Sequence, residues 1–132
     1  MQEAANCRYI EMSLPAERDM MIVVRLATSG VLARSGLTLD ALGELKMAVE
    51  EACICLISQM SEPGRLELRF EIGKDVMKIN CRCADDCVMG VPMSSSEAEV
   101  VGCILDSMVD KADITLQDGI ISNIRLTAAI PR

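Results

Sequence analysis

Histidine is absent from this chain, and its aromatic side chains stop at Tyr9 and Phe70. With almost no aromatics, it lacks the stacking platforms on which many single-strand nucleic-acid binders lay their bases. A formal net charge of −7 opposes binding to a phosphate backbone, which needs clustered Lys and Arg, so nucleic acid is not expected as a direct ligand. No apolar run reaches the roughly 18 residues of a membrane span. The opening MQEAANCRYIEM has neither a basic start nor an apolar stretch, so no signal peptide is expected. The expectation is a cytoplasmic protein whose seven cysteines are reduced thiols, an odd number that also argues against a complete disulfide framework. There is no Cys-x-x-Cys pair. With no histidine to help, a zinc or iron–sulfur centre is not expected.

What remains is enough for one globular unit. A chain of 132 residues is about one domain, read here as a single domain over 1–132, and 51% hydrophobic content supplies its core from aliphatics, methionine and cysteine. No linker, low-complexity tract or internal repeat divides it. Cys7 to Ala16 starts with strand-like alternation and stops at Pro15. Glu17 to Ser35 places apolar residues at Met20, Val23, Val24, Ala27, Val31 and Leu32, a helical spacing with Gly36 as C-cap. Thr38 or Asp40 caps a second helix whose stripe runs Leu39, Leu42, Leu45, Val49, Cys53, Leu56 and Met60, ending near Pro63-Gly64.

Arg65 to Ile72 and Val76 to Cys83 alternate at period two about Gly73-Lys74-Asp75, which predicts a hairpin with one wet and one buried face. Ala84 to Ser96 reads as loop, and Ser94-Ser95-Ser96-Glu97 caps a third helix through about Val109. ADITLQ and IISNIRLTAAI flank Asp118-Gly119, a strong two-residue hairpin signal. Paired strands interspersed with helices predict a two-layer α/β (α+β) sandwich, its sheet antiparallel or mixed, with the helices on one face.

Residue chemistry alone leaves plain readings open. Glu51 reads as a solvated helix residue like Glu50, and Asp85-Asp86 as a polar turn after a strand. Cys81 and Cys83 share a strand face with Cys87 close behind. They read as small buried hydrophobes, with a thiol-based sensor as the other possibility. The ten methionines read as core filling.

Three segments carry a resemblance: IEMSLPAERDMMIVVRLATSGVLARSG, LKMAVEEACICL within the long helix Leu37 to Gln59, and ILDSMVDKADITLQDG. Together they resemble the bacterial anti-sigma-factor serine/threonine kinases, which implies the histidine-kinase-like ATPase fold with a mixed, mostly antiparallel sheet. In that family a glutamate on the long helix orients the attacking hydroxyl or water, and an asparagine four residues on binds magnesium. The resemblance puts Glu51 in the base position and Cys55 in the metal-ligand position, where a thiol is a poor substitute for a hard oxygen donor. It puts Asp85, or alternatively Asp86, at the adenine-binding aspartate, with Cys87 and Met89 where the family has glycines. The phosphate-facing Gly-Leu-Gly positions fall on Glu99-Val100-Val101, with Gly102 one residue out of register.

With three phosphate or metal features replaced, the expectation is a pseudo-kinase in transcription regulation. It would bind a sigma factor or an anti-sigma antagonist, form a homodimer, and use no cofactor effectively. The alternative is an active kinase with ATP and magnesium, phosphorylating a serine of the antagonist. By resemblance, the dimer and sigma contacts correspond to Tyr9 to Leu14 and Met20 to Arg34.

Overall fold

The alternation in Arg65 to Cys83 commits those residues to a sheet with one dry face, and the rest of the architecture is built against it. In the computed structural model, which describes residues 8–33 and 35–131, five strands lie in the order β1-β2-β3-β5-β4. They are β1 (Arg8–Pro15), β2 (Arg65–Ile72), β3 (Val76–Cys83), β4 (Lys111–Gln117) and β5 (Ile120–Ala129). All four neighbouring pairs are antiparallel. Three helices complete the unit: α1 (Met21–Leu32), α2 (Leu39–Ser58) and α3 (Ser95–Asp106). Cys7 and Arg34, which the sequence reading included in its first strand and partner region, lie outside the described residues.

The sheet's two faces differ as the alternation requires. Leu66, Leu68 and Phe70 on β2 and Met77, Ile79, Cys81 and Cys83 on β3 are buried, and their alternate neighbours are half exposed. α2 crosses the buried face over β3 and β5, α1 packs on α2, and α3 lies by β4. The open face is stitched by polar side chains: Arg82 pairs with Glu67 at 2.5 Å, Arg69 with Glu11 at 3.4 Å, and Asn80 donates to Asn123 at 2.6 Å.

Local chemistry sets the element ends. Thr38 is the cap of α2, its hydroxyl accepting from the Ala41 N–H at 3.1 Å. Ser94 and Glu97 form a reciprocal capping box on α3. Asp118 and Gly119 take φ values of 54° and 81°, the left-handed pair that a two-residue hairpin demands. Beyond that turn Ile121 pairs with Leu116 and Asn123 with Thr115, so Ser122 is the extra residue of a bulge.

Four sequence expectations need correction. Residues 18–20 form a separate 3-10 turn, and α1 begins only at Met21. Its buried stripe is Met21, Val24, Thr28 and Leu32, so Val23 faces outward; the polar Thr28 fits because its hydroxyl donates to the Val24 carbonyl at 2.7 Å. Leu39, placed in the α2 core stripe, is 87% exposed, because the first turn of α2 overhangs the sheet and burial starts near Leu42. α3 stops at Asp106 rather than Val109, where the Asp106 carboxylate accepts from the Ala112 N–H at 3.0 Å and turns the chain into β4.

One buried polar residue joins the layers. Gln59, just past α2, donates its amide to the Ile121 carbonyl at 2.9 Å and accepts from the Ile121 N–H at 2.7 Å; its own carbonyl takes the Gly90 N–H at 2.6 Å. The thiols sit alongside. Cys81 contacts Cys53 in the core, and that hydrogen bond together with burial holds its pKa well above the usual value. Burial, with the neighbouring Cys87 adding to it, pushes the Cys83 thiol up to about 12.

Two outcomes are expected. Gln59→Ala leaves a buried N–H and a buried carbonyl unpaired, costing about 3 kcal/mol; calorimetry should show Tm falling by about 10 °C. For the raised thiols, the folded chain keeps a proton that the unfolded chain releases above its ordinary pKa of 9.0. Their contribution to stability is therefore complete below that pH and declines as pH rises from about 9 towards 12. Urea midpoints in reductant should fall over that window, and less steeply in Cys83→Ala.

Candidate functional site

Steps of three and four along α2 put Glu51, Ile54, Cys55 and Ser58 on one strip, turned away from the sheet and towards α3. Opposite, Met93 from the preceding segment and Glu97, Val101, Ile104 and Leu105 of α3 complete a cavity of about 260 Å³. Leu105 forms a buried floor, Ile54, Cys55 and Val101 are half-buried, and Ile104 reaches the rim. Ser58 does not reach across: its hydroxyl donates to the Cys55 carbonyl at 2.7 Å.

Among the described residues, both acidic side chains of this cavity are glutamates and no Lys or Arg lines it. Glu51 is exposed and has no hydrogen bond or ion pair among the described residues. Glu97 shares one oxygen, Oε1, with the Ser94 N–H at 3.3 Å and the Ser94 hydroxyl at 3.1 Å. Burial, and then the charge of Glu51, raise the Cys55 pKa, so the thiol keeps its proton near neutral pH. The donor set is thus two carboxylates and a neutral thiol over apolar walls.

The structure brings Glu51 and Cys55 together and leaves Asp85 apart. Asp85 sits in the turn after β3, its side chain 93% exposed and ion-paired with Arg82. It lines a different cavity, of about 420 Å³, with Cys83, Cys87 and Asp118. Asp86 is exposed beside it. Cys87 and Met89 lie in a pinned segment: Cys87 Sγ approaches the Arg65 carbonyl at 3.3 Å, and Met89 bridges to Met60. Glu99-Val100-Val101 fall inside α3, past its N-terminus, where amides are already engaged in the helix. A third concavity, of about 400 Å³, opens on the outer sheet face between Arg69, Arg82 and Glu67. Among the described residues no three His, Cys, Asp or Glu side chains gather as a metal centre requires, and no helix is long and apolar enough to cross a membrane.

Sequence reasoning missed Glu97 as a cavity residue, having read it only as a helix cap. No local signal could have found it, because the capping box fixes Glu97 against Ser94 while the packing of α3 on α2 decides which side of that turn faces the cavity. Gln59 was missed as well. It follows the apolar stripe of α2 in phase with Leu56, and a polar residue in that phase marks a buried hydrogen-bonding role.

No family model matches the chain. Among curated proteins it is similar to the serine-protein kinase RsbW of Bacillus subtilis (strain 168), 35% identical over 77 residues, covering 56% of this chain and 48% of that protein. The serine-protein kinase RsbW of Staphylococcus epidermidis is 40% identical over 75 residues, covering 54% and 47%. The chain spans about half the length of the curated relatives it matches. Among solved structures, the crystal structure of the RsbU and RsbW domains of Rv1364c from Mycobacterium tuberculosis superposes with a TM-score of 0.73. It is 14% identical, and the match covers 95% of this chain and 33% of that one, a likeness of fold. Over about half its length, then, the chain is similar in sequence to RsbW serine-protein kinases, and over nearly all of it the fold recurs in a structure of RsbU and RsbW domains.

Proposed function

We propose that this protein is an anti-sigma-factor-like regulator that works by binding a protein, a sigma factor or an anti-sigma antagonist, without effective use of ATP. The carrying observation is the cavity between α2 and α3. A magnesium–triphosphate needs hard oxygen ligands and positive or amide donors around its charge. Here the position four residues after Glu51 is a thiol whose pKa is raised, the other polar chemistry at the mouth is the carboxyl groups of Glu51 and Glu97, and the space is about 260 Å³. Those residues do not fit the group, and no catalytic step is derived through it. Asp85, the adenine contact implied by resemblance, is paired with Arg82 around the other side of the β3 turn.

A protein-binding role has its own support at the opposite edge of the sheet. Among the described residues β1 pairs with β2 alone and forms the edge of the sheet. Beside it Tyr9 and Ile10 are exposed, and α1 presents Ile22, Val23 and Leu26, the last 67% exposed. Apolar side chains gathered next to an edge strand suit a protein partner or a second copy. This is the region that the family resemblance associates with dimer and sigma contacts.

The raised pKa values of Cys55, Cys81 and Cys83 disfavour the thiol-sensor reading, since the thiolate is the reactive form. The active-kinase reading keeps Glu51 as base and requires ATP and magnesium, so it meets a direct test. In a thermal-unfolding titration with ATP or ADP, with and without magnesium, Tm is expected to stay unchanged up to millimolar nucleotide. A site filled at 100 times its dissociation constant would add about 2.7 kcal/mol, on the order of 10 °C here. A magnesium-dependent rise that Glu51→Ala abolishes would replace the regulator reading with the kinase reading. For the second surface, Leu26→Glu is expected to convert a dimer to monomer in sedimentation velocity while leaving Tm within about 2 °C, since the residue is exposed.

A further inference from the structure

We propose that the cavity between α2 and α3 receives a lysine or arginine side chain from a basic amphipathic helix of a protein partner. The inference rests on the reading of this chain as a protein-binding module and names the partner chemistry of that same cavity. Its walls are apolar, Ile54 and Cys55 on α2 and Val101 and Ile104 on α3, and its mouth carries Glu51 and Glu97. A long cationic side chain is built the same way, with an apolar stem and a charged head. At about 260 Å³ the cavity has room for roughly nine waters. That is room for one extended side chain.

Charge complementarity extends beyond the mouth. α2 and α3 together carry seven acidic residues and one basic residue, Lys46. The five strands carry seven basic residues and four acidic ones. The two helices that frame the cavity are therefore net negative and the strands net positive; several strand cations are already ion-paired, and Glu50 of α2 is paired with Arg25 of α1. Such a field repels a polyphosphate and draws in a cationic segment. Apolar residues flank the cavity on both helices. Met47, one turn before Glu51, is 62% exposed, and Val100 on α3 is 58% exposed. An incoming helix thus finds a ridge for its own apolar face on either side of the slot.

The test uses a fluorescein-labelled amphipathic peptide of leucine and lysine, with a matched peptide carrying glutamate for lysine, read by anisotropy against the full chain. The lysine peptide is expected to bind and the glutamate peptide not. The double variant Glu51→Gln/Glu97→Gln should weaken binding by about tenfold or more. Glutamine at position 97 keeps the capping box, so folding is retained, and unfolding curves verify it. A control of equal charge change on the β1–α1 connection, Glu17→Gln/Asp19→Asn, should stay within about twofold. With methyl-labelled methionine, the Met93 resonance should move on binding and that of buried Met77 should not. Equal weakening by both double variants would overturn the proposal, showing attraction to net charge alone. So would an unmoved Met93, or no binding at all. A magnesium–ATP shift that depends on Glu51 would instead sink the regulator reading itself; inert nucleotide with a peptide indifferent to Glu51 and Glu97 would sink only this inference.

Discussion

The buried carboxamide of Gln59 holds the arrangement together. Both of its functional groups are spent on Ile121, and its backbone carbonyl takes Gly90, so one residue ties the end of α2, the bulged strand β5 and the segment between β3 and α3. The two side-chain bonds to Ile121 are away from water, where an unmade partner is expensive. The consequence reaches the cavity. With Gly90 pinned and the Met93 N–H bonded to the Gly119 carbonyl at 3.0 Å, the start of α3 has little freedom. The gap between α3 and α2 is set by that anchoring and by the packing of buried Leu105.

Within that frame the site is defined by electrostatics more than by shape. Glu51 is the base expected from the family resemblance. It is accompanied by another carboxylate and a thiol that keeps its proton, not by a hard ligand set or cations. Two negative groups over an apolar floor are a poor host for a nucleotide and a good host for an amphipathic cation. The basic residues are held on the outer sheet face, where Arg69 and Arg82 are engaged with Glu11, Glu67 and Glu71, and Arg69 also lies 3.9 Å over the Tyr9 ring. The residues at the cavity mouth are separate from the sheet and helix stripes that make the core.

Much of the fold was legible because its signals are local. Alternation marked β2 and β3, Asp118-Gly119 marked the last hairpin, and Thr38 and Ser94 marked helix starts, each through backbone chemistry acting over a few residues. The errors fall where burial depends on what lies opposite. Leu39 looked like the first rung of the α2 stripe and hangs past the sheet. Thr28, absent from the apolar positions read for α1, is buried, its hydroxyl satisfied within its own helix. Of the site, the pairing of Glu51 with Cys55 was readable from their spacing of one helical turn. The entry of Glu97 and the separation of Asp85 were not.

By itself the sequence determined the periodicities, the caps and turns, and the sign of its charge, since all of these are carried by neighbouring residues or by composition. Only the tertiary structure decided which carboxylates share a cavity, how wide that cavity is, and that acidic helices back onto a basic sheet. Those properties depend on how α3 is seated against α2, and the segment leading into α3 is tied by bonds between residues distant in sequence, Gly90 to Gln59 and Met93 to Gly119.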